Sequence, residues 1–219
     1  MPFIDDLTLV LDLMILMCAT VFYTGFFVWY HSRKMDTVRA ASHLREGAFV
    51  MTMIGGLIGL IAIWGEFNWP LPGAYDLYFF DMLFMLALLT VSFGLTVLLR
   101  LPTHFVGMLG IVIGCGVIYY GVRADYYLTL TSDPTETLLL YLGFGGVAIL
   151  AYPATLYVDW FVSGRQNAAV TPIASALTPS SPRMWTVLLG LFVILVVLAG
   201  AAAAAYGLTA AWGHLESPP

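Results

Sequence analysis

A chain of 219 residues that is 61% hydrophobic and 10% charged carries more apolar surface than a soluble globule of that size can bury. Its formal net charge is −5, and its eight Lys and Arg residues are spread among loops rather than gathered with aromatics, which excludes a nucleic-acid-binding surface. Crossing about 30 Å of hydrocarbon takes roughly 20 apolar residues as a helix, and the sequence supplies that length repeatedly.

The expected architecture is all-α, a polytopic membrane bundle of six transmembrane helices forming a single domain over residues 1–219. The first span covers about 7–30 and ends in the aromatic group Phe26, Phe27, Trp29 and Tyr30, as an interfacial belt does. No Lys or Arg precedes it, so the basic n-region of a secretory signal is missing and this helix is expected to be retained. The following loop carries Arg33, Lys34, Arg39 and Arg45, which the positive-inside rule places in the cytoplasm, with the N-terminus outside. Asp36 or Thr37 is expected to cap a helix running through His43 and Glu46 into span two, about 47–64.

An outer turn, WGEFNWPLPGAYDLYFFD, leads to span three, about 77–99, and a short inner loop, RLPTH, to span four, about 105–122. Asp133 and Pro134 then mark the start of span five, about 137–162, which Pro153 is expected to kink. A linker rich in Ala, Ser, Thr and Pro precedes span six, about 184–212. The resulting topology is N-out and C-out in a plasma membrane. Arg123 is then the one basic residue of eight placed outside, while the carboxylates lie mostly outside.

The Trp64–Asp81 turn is the only place where carboxylates, tryptophans, prolines and a glycine crowd together at a membrane boundary. Pro70 and Pro72 bias Trp69 and Leu71 toward extended backbone, and Gly73 permits a positive φ. Such a turn either covers the bundle or lines a pocket. Asp12 and Asp81 sit a turn or so inside their spans, a depth at which a carboxylate is either paired and functional or simply reaches the interface. Glu66 follows Gly59 by seven residues, so it is expected to share the small-residue face of Thr52, Gly55, Gly56 and Gly59 and to point into the bundle. Asp12, Glu66, Asp76 and Asp81 together make a candidate proton or cation site at the outer rim; the alternative is a solvated acidic loop packed down by Trp64 and Trp69.

Gly55, Gly56, Gly59, Gly110 and Gly114 read as helix-packing positions. His31, His43 and His104 fall at inner ends and His214 in the outer tail, so no haem pair faces across the core. His43 and Glu46, three apart on one helix face, are expected to pair. Lys34, the only lysine, lies in a loop and excludes a retinal-type Schiff base within a span. Cys18 and Cys115 are isolated in apolar segments, and no cofactor or metal ligand set is recognisable.

The stretch from Gly55 to Asp81, with Glu66, Trp69, Pro70, Leu71, Pro72, Gly73 and Tyr75, resembles an uncharacterised integral-membrane family of archaea and bacteria known only as a domain of unknown function. The resemblance implies the fold and the membrane location, and it implies no mechanism. The leading functional expectation is therefore a non-catalytic membrane component, a subunit or accessory protein of a larger respiratory or oxidoreductase complex, or a homo-oligomer. The rival is a small proton or cation transporter using Asp12, Glu66 and Asp81. A membrane enzyme with a metal at the outer carboxylates is the third reading.

Overall fold

The computed structural model describes residues 6–34, 36–68, 70, 77–127, 134–163 and 182–216. Six helices carry it: α1 Asp6–Arg33, α2 Thr37–Asn68, α3 Met82–Leu98, α4 His104–Tyr127, α5 Pro134–Val158 and α6 Pro182–Glu216. A π-helical turn, Leu77–Asp81, leads into α3, and a second, Asp159–Ser163, continues α5. All six helices are long and apolar enough to cross a bilayer, and the chain is a membrane protein.

Sequence-level boundaries move mainly outward. Asp36 caps α2 as expected, its Oδ1 accepting the Arg39 amide at 3.1 Å. At its far end α2 continues past Trp64 to Asn68, so Trp64 and Glu66 belong to the helix and not to a turn. Similarly, α4 runs to Tyr127, through residues expected to form a loop. Pro134 opens α5, where its missing N–H costs nothing, and Pro153 lies within the same helix. Of the expected turn, Pro70 is exposed, whereas Trp69, Pro72, Gly73, Tyr75 and Asp76 lie outside the described residues.

Each helix packs on its neighbours in chain order, and α6 returns to α1, so the six form a closed ring. Within it α4 and α5 pack most extensively and α3 and α4 least. The tightness of the α4–α5 pair has a simple cause: a Cβ at Gly110 would stand 2.5 Å from the Ala148 carbonyl oxygen, and one at Gly114 2.4 Å from that of Gly145. Only a hydrogen fits there. The inner face of α2 is a regular stripe of Ala48, Met51, Gly55, Ile58, Ala62 and Gly65, alternating steps of three and four residues.

The ring is stoppered at both ends by aromatic residues of the π turns. At one end Phe80, wholly buried, lies against Gly65, where a Cβ would come within 2.5 Å of the ring. Tyr78 stacks on Tyr141 of α5 at 4.5 Å and 11°, and its carbonyl accepts the Tyr141 hydroxyl at 2.6 Å. At the other end Phe161 joins a cluster of Val28, Leu44, Val97, Val158 and Leu189 drawn from five helices. That second end also carries the basic residues of α1 and α2, with Arg33 over Trp29 and Lys34 over Tyr30 at 5.1 and 4.1 Å.

Candidate functional site

Two features of the ring interior stand out, a polar lock at the basic end and an apolar cavity along the axis. The lock begins with the short connection from α3 to α4. Leu101 donates to the Thr96 carbonyl at 2.9 Å and Arg100 to that of Val97 at 3.1 Å, the pairing that ends a helix on a left-handed residue. Arg100, at φ 60°, holds the position glycine usually occupies. Pro102 follows, and Thr103 stands at the N-cap of α4, its carbonyl accepting the Gly107 amide at 3.1 Å.

Asp159, on the first residue of the π turn after α5, reaches this connection. Its Oδ1 accepts the Thr103 amide at 2.9 Å and the Thr103 hydroxyl at 2.8 Å, and its Oδ2 accepts the His104 amide at 3.0 Å. His104 Nδ1 lies 2.9 Å from the same Oδ2 and, since a carboxylate only accepts, carries the proton between them. A buried carboxylate thus sits on the positive end of the α4 dipole and satisfies two amides that the helix leaves unpaired. Every partner of this acid is structural: the arrangement fastens α5 to the α3–α4 turn.

Sequence reasoning gave Asp159 no role. The available signal was an acid in the last turn of span five, on the same side of the membrane as a Pro-Thr helix start. What linked them is a separation of 56 residues that only folding closes. His104 joins that acid and not His31 or His43. His31 and His43 stack on one another at 5.3 Å and 21°, and His43 Nδ1 lies 3.5 Å from Glu46 as expected for the i,i+3 pair.

The candidate-site carboxylates are placed on separate elements. Asp12 is exposed on α1 beside α6, where its Oδ1 lies 3.7 Å from the Cβ position of Gly207. Glu66 is half-buried at the end of α2, and Asp81 half-buried in the π turn that opens α3. Asp76 lies outside the described residues. Among the described residues no three His, Cys, Asp or Glu side chains converge as a metal-binding group. The glycine that seats a neighbour beside Glu66 is Gly65. Gly55 meets Thr90, with a Cβ there 2.5 Å from its hydroxyl oxygen; Gly59 makes ordinary contact with Ala87; Gly56 meets nothing within 4 Å and lies on the outside of the ring.

The cavity occupies the ring axis, with a volume of about 160 Å³ and walls from all six helices. Methionine, leucine, valine, alanine and phenylalanine line it, together with Cys18 and three threonines. Those threonines keep their hydroxyls on their own helices: Thr24 donates to the Thr20 carbonyl, Thr90 to Ala87 and Thr155 to Tyr152, at 2.7, 2.9 and 2.8 Å.

The comparisons with known proteins bear on the chain as a whole. The family model described as Protein of unknown function (DUF981) matches residues 1–217. The chain belongs to the DUF981 family. That match extends the resemblance of the Gly55–Asp81 stretch over all six helices, so the ring, the lock and the cavity lie within the family's domain. No curated protein and no solved structure matches this DUF981 chain.

Proposed function

We propose that the chain is a non-catalytic multi-pass protein of the plasma membrane, a subunit or accessory component that docks another membrane helix on the outer face of α2. The observation that carries this reading is a second stripe on that helix. Phe49, Met53, Gly56, Leu60, Ile63 and Phe67 recur at steps of four and three residues, the spacing of a knobs-into-holes seam. The five large members are exposed, and Gly56 has open space where its Cβ would be. The inner stripe of α2, built the same way, is already filled by α1 and α3. A small residue in the middle of an outward seam lets a partner backbone approach closely.

The carboxylate transporter reading draws less support, because an ion path needs polar steps across the core and the walls on the ring axis are apolar. The basic end is taken as cytoplasmic, which leaves both termini outside. A cysteine replacing Asp36 would then react with an impermeant maleimide only after the cells are opened.

Mild-detergent purification from native membranes, with co-purifying proteins identified by mass spectrometry, tests the docking reading. The expected result is stoichiometric recovery of a second membrane chain, or of a second copy, that Gly56→Leu abolishes while the melting temperature stays unchanged. Recovery of a monomer alone from wild-type membranes would sink it.

A further inference from the structure

We propose that the axial cavity is a binding site for one hydrocarbon chain of a membrane lipid, held inside the ring with its polar head outside. Three observations converge on that occupant. The first is chemical. The walls present methyl, methylene, thioether and ring carbon, and the hydroxyls of Thr24, Thr90 and Thr155 are engaged on their own helices. A water needs two to four polar partners, and an ion or a headgroup needs more, so neither has a place here. Interiors close-pack, and an apolar volume of about 160 Å³ in a membrane protein calls for apolar contents.

The second observation is shape. Lining residues run from Met14 to Val28 on α1 and from Leu44 to Ile58 on α2, a rise of about 21 Å in each helix at 1.5 Å per residue. A volume of about 160 Å³ drawn out along that length is a narrow slot and not a round chamber. A compact ligand would leave most of it empty, whereas a chain fills it end to end. One leaflet contributes about half of a hydrocarbon core roughly 30 Å thick, so a lipid chain has comparable reach.

The third is closure. Buried Phe80 and Leu83 at one end, and Phe161, Val158 and Leu189 at the other, put apolar groups at both ends of the axis. A chain therefore arrives sideways, from the bilayer, and α3 and α4 make the thinnest contact in the ring. The hydrogen bonds of Asp159 to Thr103 and of Tyr141 to Tyr78 tie the two ends of this region to α5, while the apolar side chains Leu86, Leu89, Phe93, Val106 and Ile113 pack between α3 and α4. This site is separate from the outward α2 stripe, and the two readings stand or fall independently.

The test uses the full-length protein in nanodiscs of phosphatidylcholine containing a small fraction of phosphatidylcholine with a diazirine at the end of a palmitoyl chain. After illumination, adducts are mapped by peptide mass spectrometry. The expected map has adducts on cavity residues such as Met17, Met51, Phe93 and Phe144, beside those on the lipid-facing Met53 and Leu60. Ala151→Phe and Val21→Trp, which fill the slot from α5 and from α1, are each expected to cut the cavity adducts at least tenfold and leave Met53 and Leu60 labelled as before. A wild-type map confined to outward residues would overturn the proposal without reference to any variant. Cavity labelling unchanged in a filling variant that remains monodisperse would overturn it too.

Discussion

His104 and Asp159, 55 residues apart in sequence, meet through Nδ1 and Oδ2 at 2.9 Å where α4 begins and α5 turns. The contact is the visible part of a larger commitment, because the same carboxylate holds two backbone amides and the Thr103 hydroxyl. Asp159→Ala leaves the Thr103 and His104 amides without their acceptor, while the Thr103 hydroxyl keeps the Thr155 carbonyl at 3.1 Å, and it is expected to cost about 3 kcal/mol, since each hydrogen bond to a buried charge is worth about 1.5–3 kcal/mol. His104→Gln, which removes one of the four partners, is expected to cost about 1 kcal/mol. Thermal unfolding in detergent ranks the two. Equal losses would mean that the histidine, and not the capping of α4, holds the junction.

Gly65 and Gly56 make opposite predictions from the same helix. An alanine at Gly65 drives its Cβ to 2.5 Å from the ring of Phe80, which is wholly buried and has no room to retreat. Gly65→Ala is expected to lose about 2 kcal/mol through overpacking. Gly56→Ala meets nothing within 4 Å and is expected to be neutral or to gain up to about 1 kcal/mol from helix propensity in the isolated chain. Melting temperatures of the two variants in one detergent decide the matter; a reversed order would mean that Phe80 does not seat on α2.

Arg100 keeps a left-handed backbone at φ 60° in the turn between α3 and α4. A side chain there costs roughly 1–2 kcal/mol relative to glycine. Arg100→Gly is therefore expected to raise stability by about 1 kcal/mol, seen as a higher melting temperature. A lower one would show that the guanidinium makes a contact worth more than the strain.

Asp12, Glu66 and Asp81 are separate on α1, α2 and the π turn before α3, and the axis they would feed is apolar. Purified protein in liposomes is accordingly expected to pass protons and monovalent cations no faster than protein-free liposomes. Asp12→Asn, Glu66→Gln and Asp81→Asn are expected to change nothing. Flux above that background, lost in Glu66→Gln or Asp81→Asn, would restore the transporter reading.

Much of this molecule is local in origin, and that part was legible in the residues. Span number and helical class follow from runs of apolar residues long enough for the bilayer. The cap at Asp36 and the proline start of α5 follow from backbone rules that act within a turn. The His43–Glu46 pair likewise needs only three residues of helix. Even the presence of close-packing glycines was readable, because only a small residue lets two helices approach.

Which face of a helix meets which neighbour is a different kind of fact. The face that seats a neighbour runs through Gly65, about 100° around the α2 axis from Glu66, and there it meets Phe80 of the π turn that leads into α3. An all-round apolar helix carries no moment to announce that choice, since lipid and protein interiors are equally welcoming to its side chains. Asp159 was hidden for the same reason: its partners lie on a connection 55 and 56 residues away in the chain. The cavity belongs to no segment at all. Composition and periodicity determined that six helices would cross a membrane, but the closing of α6 onto α1 created an axis. Side chains from all six then left a slot that local sequence rules, acting over a turn or two, have no means to encode.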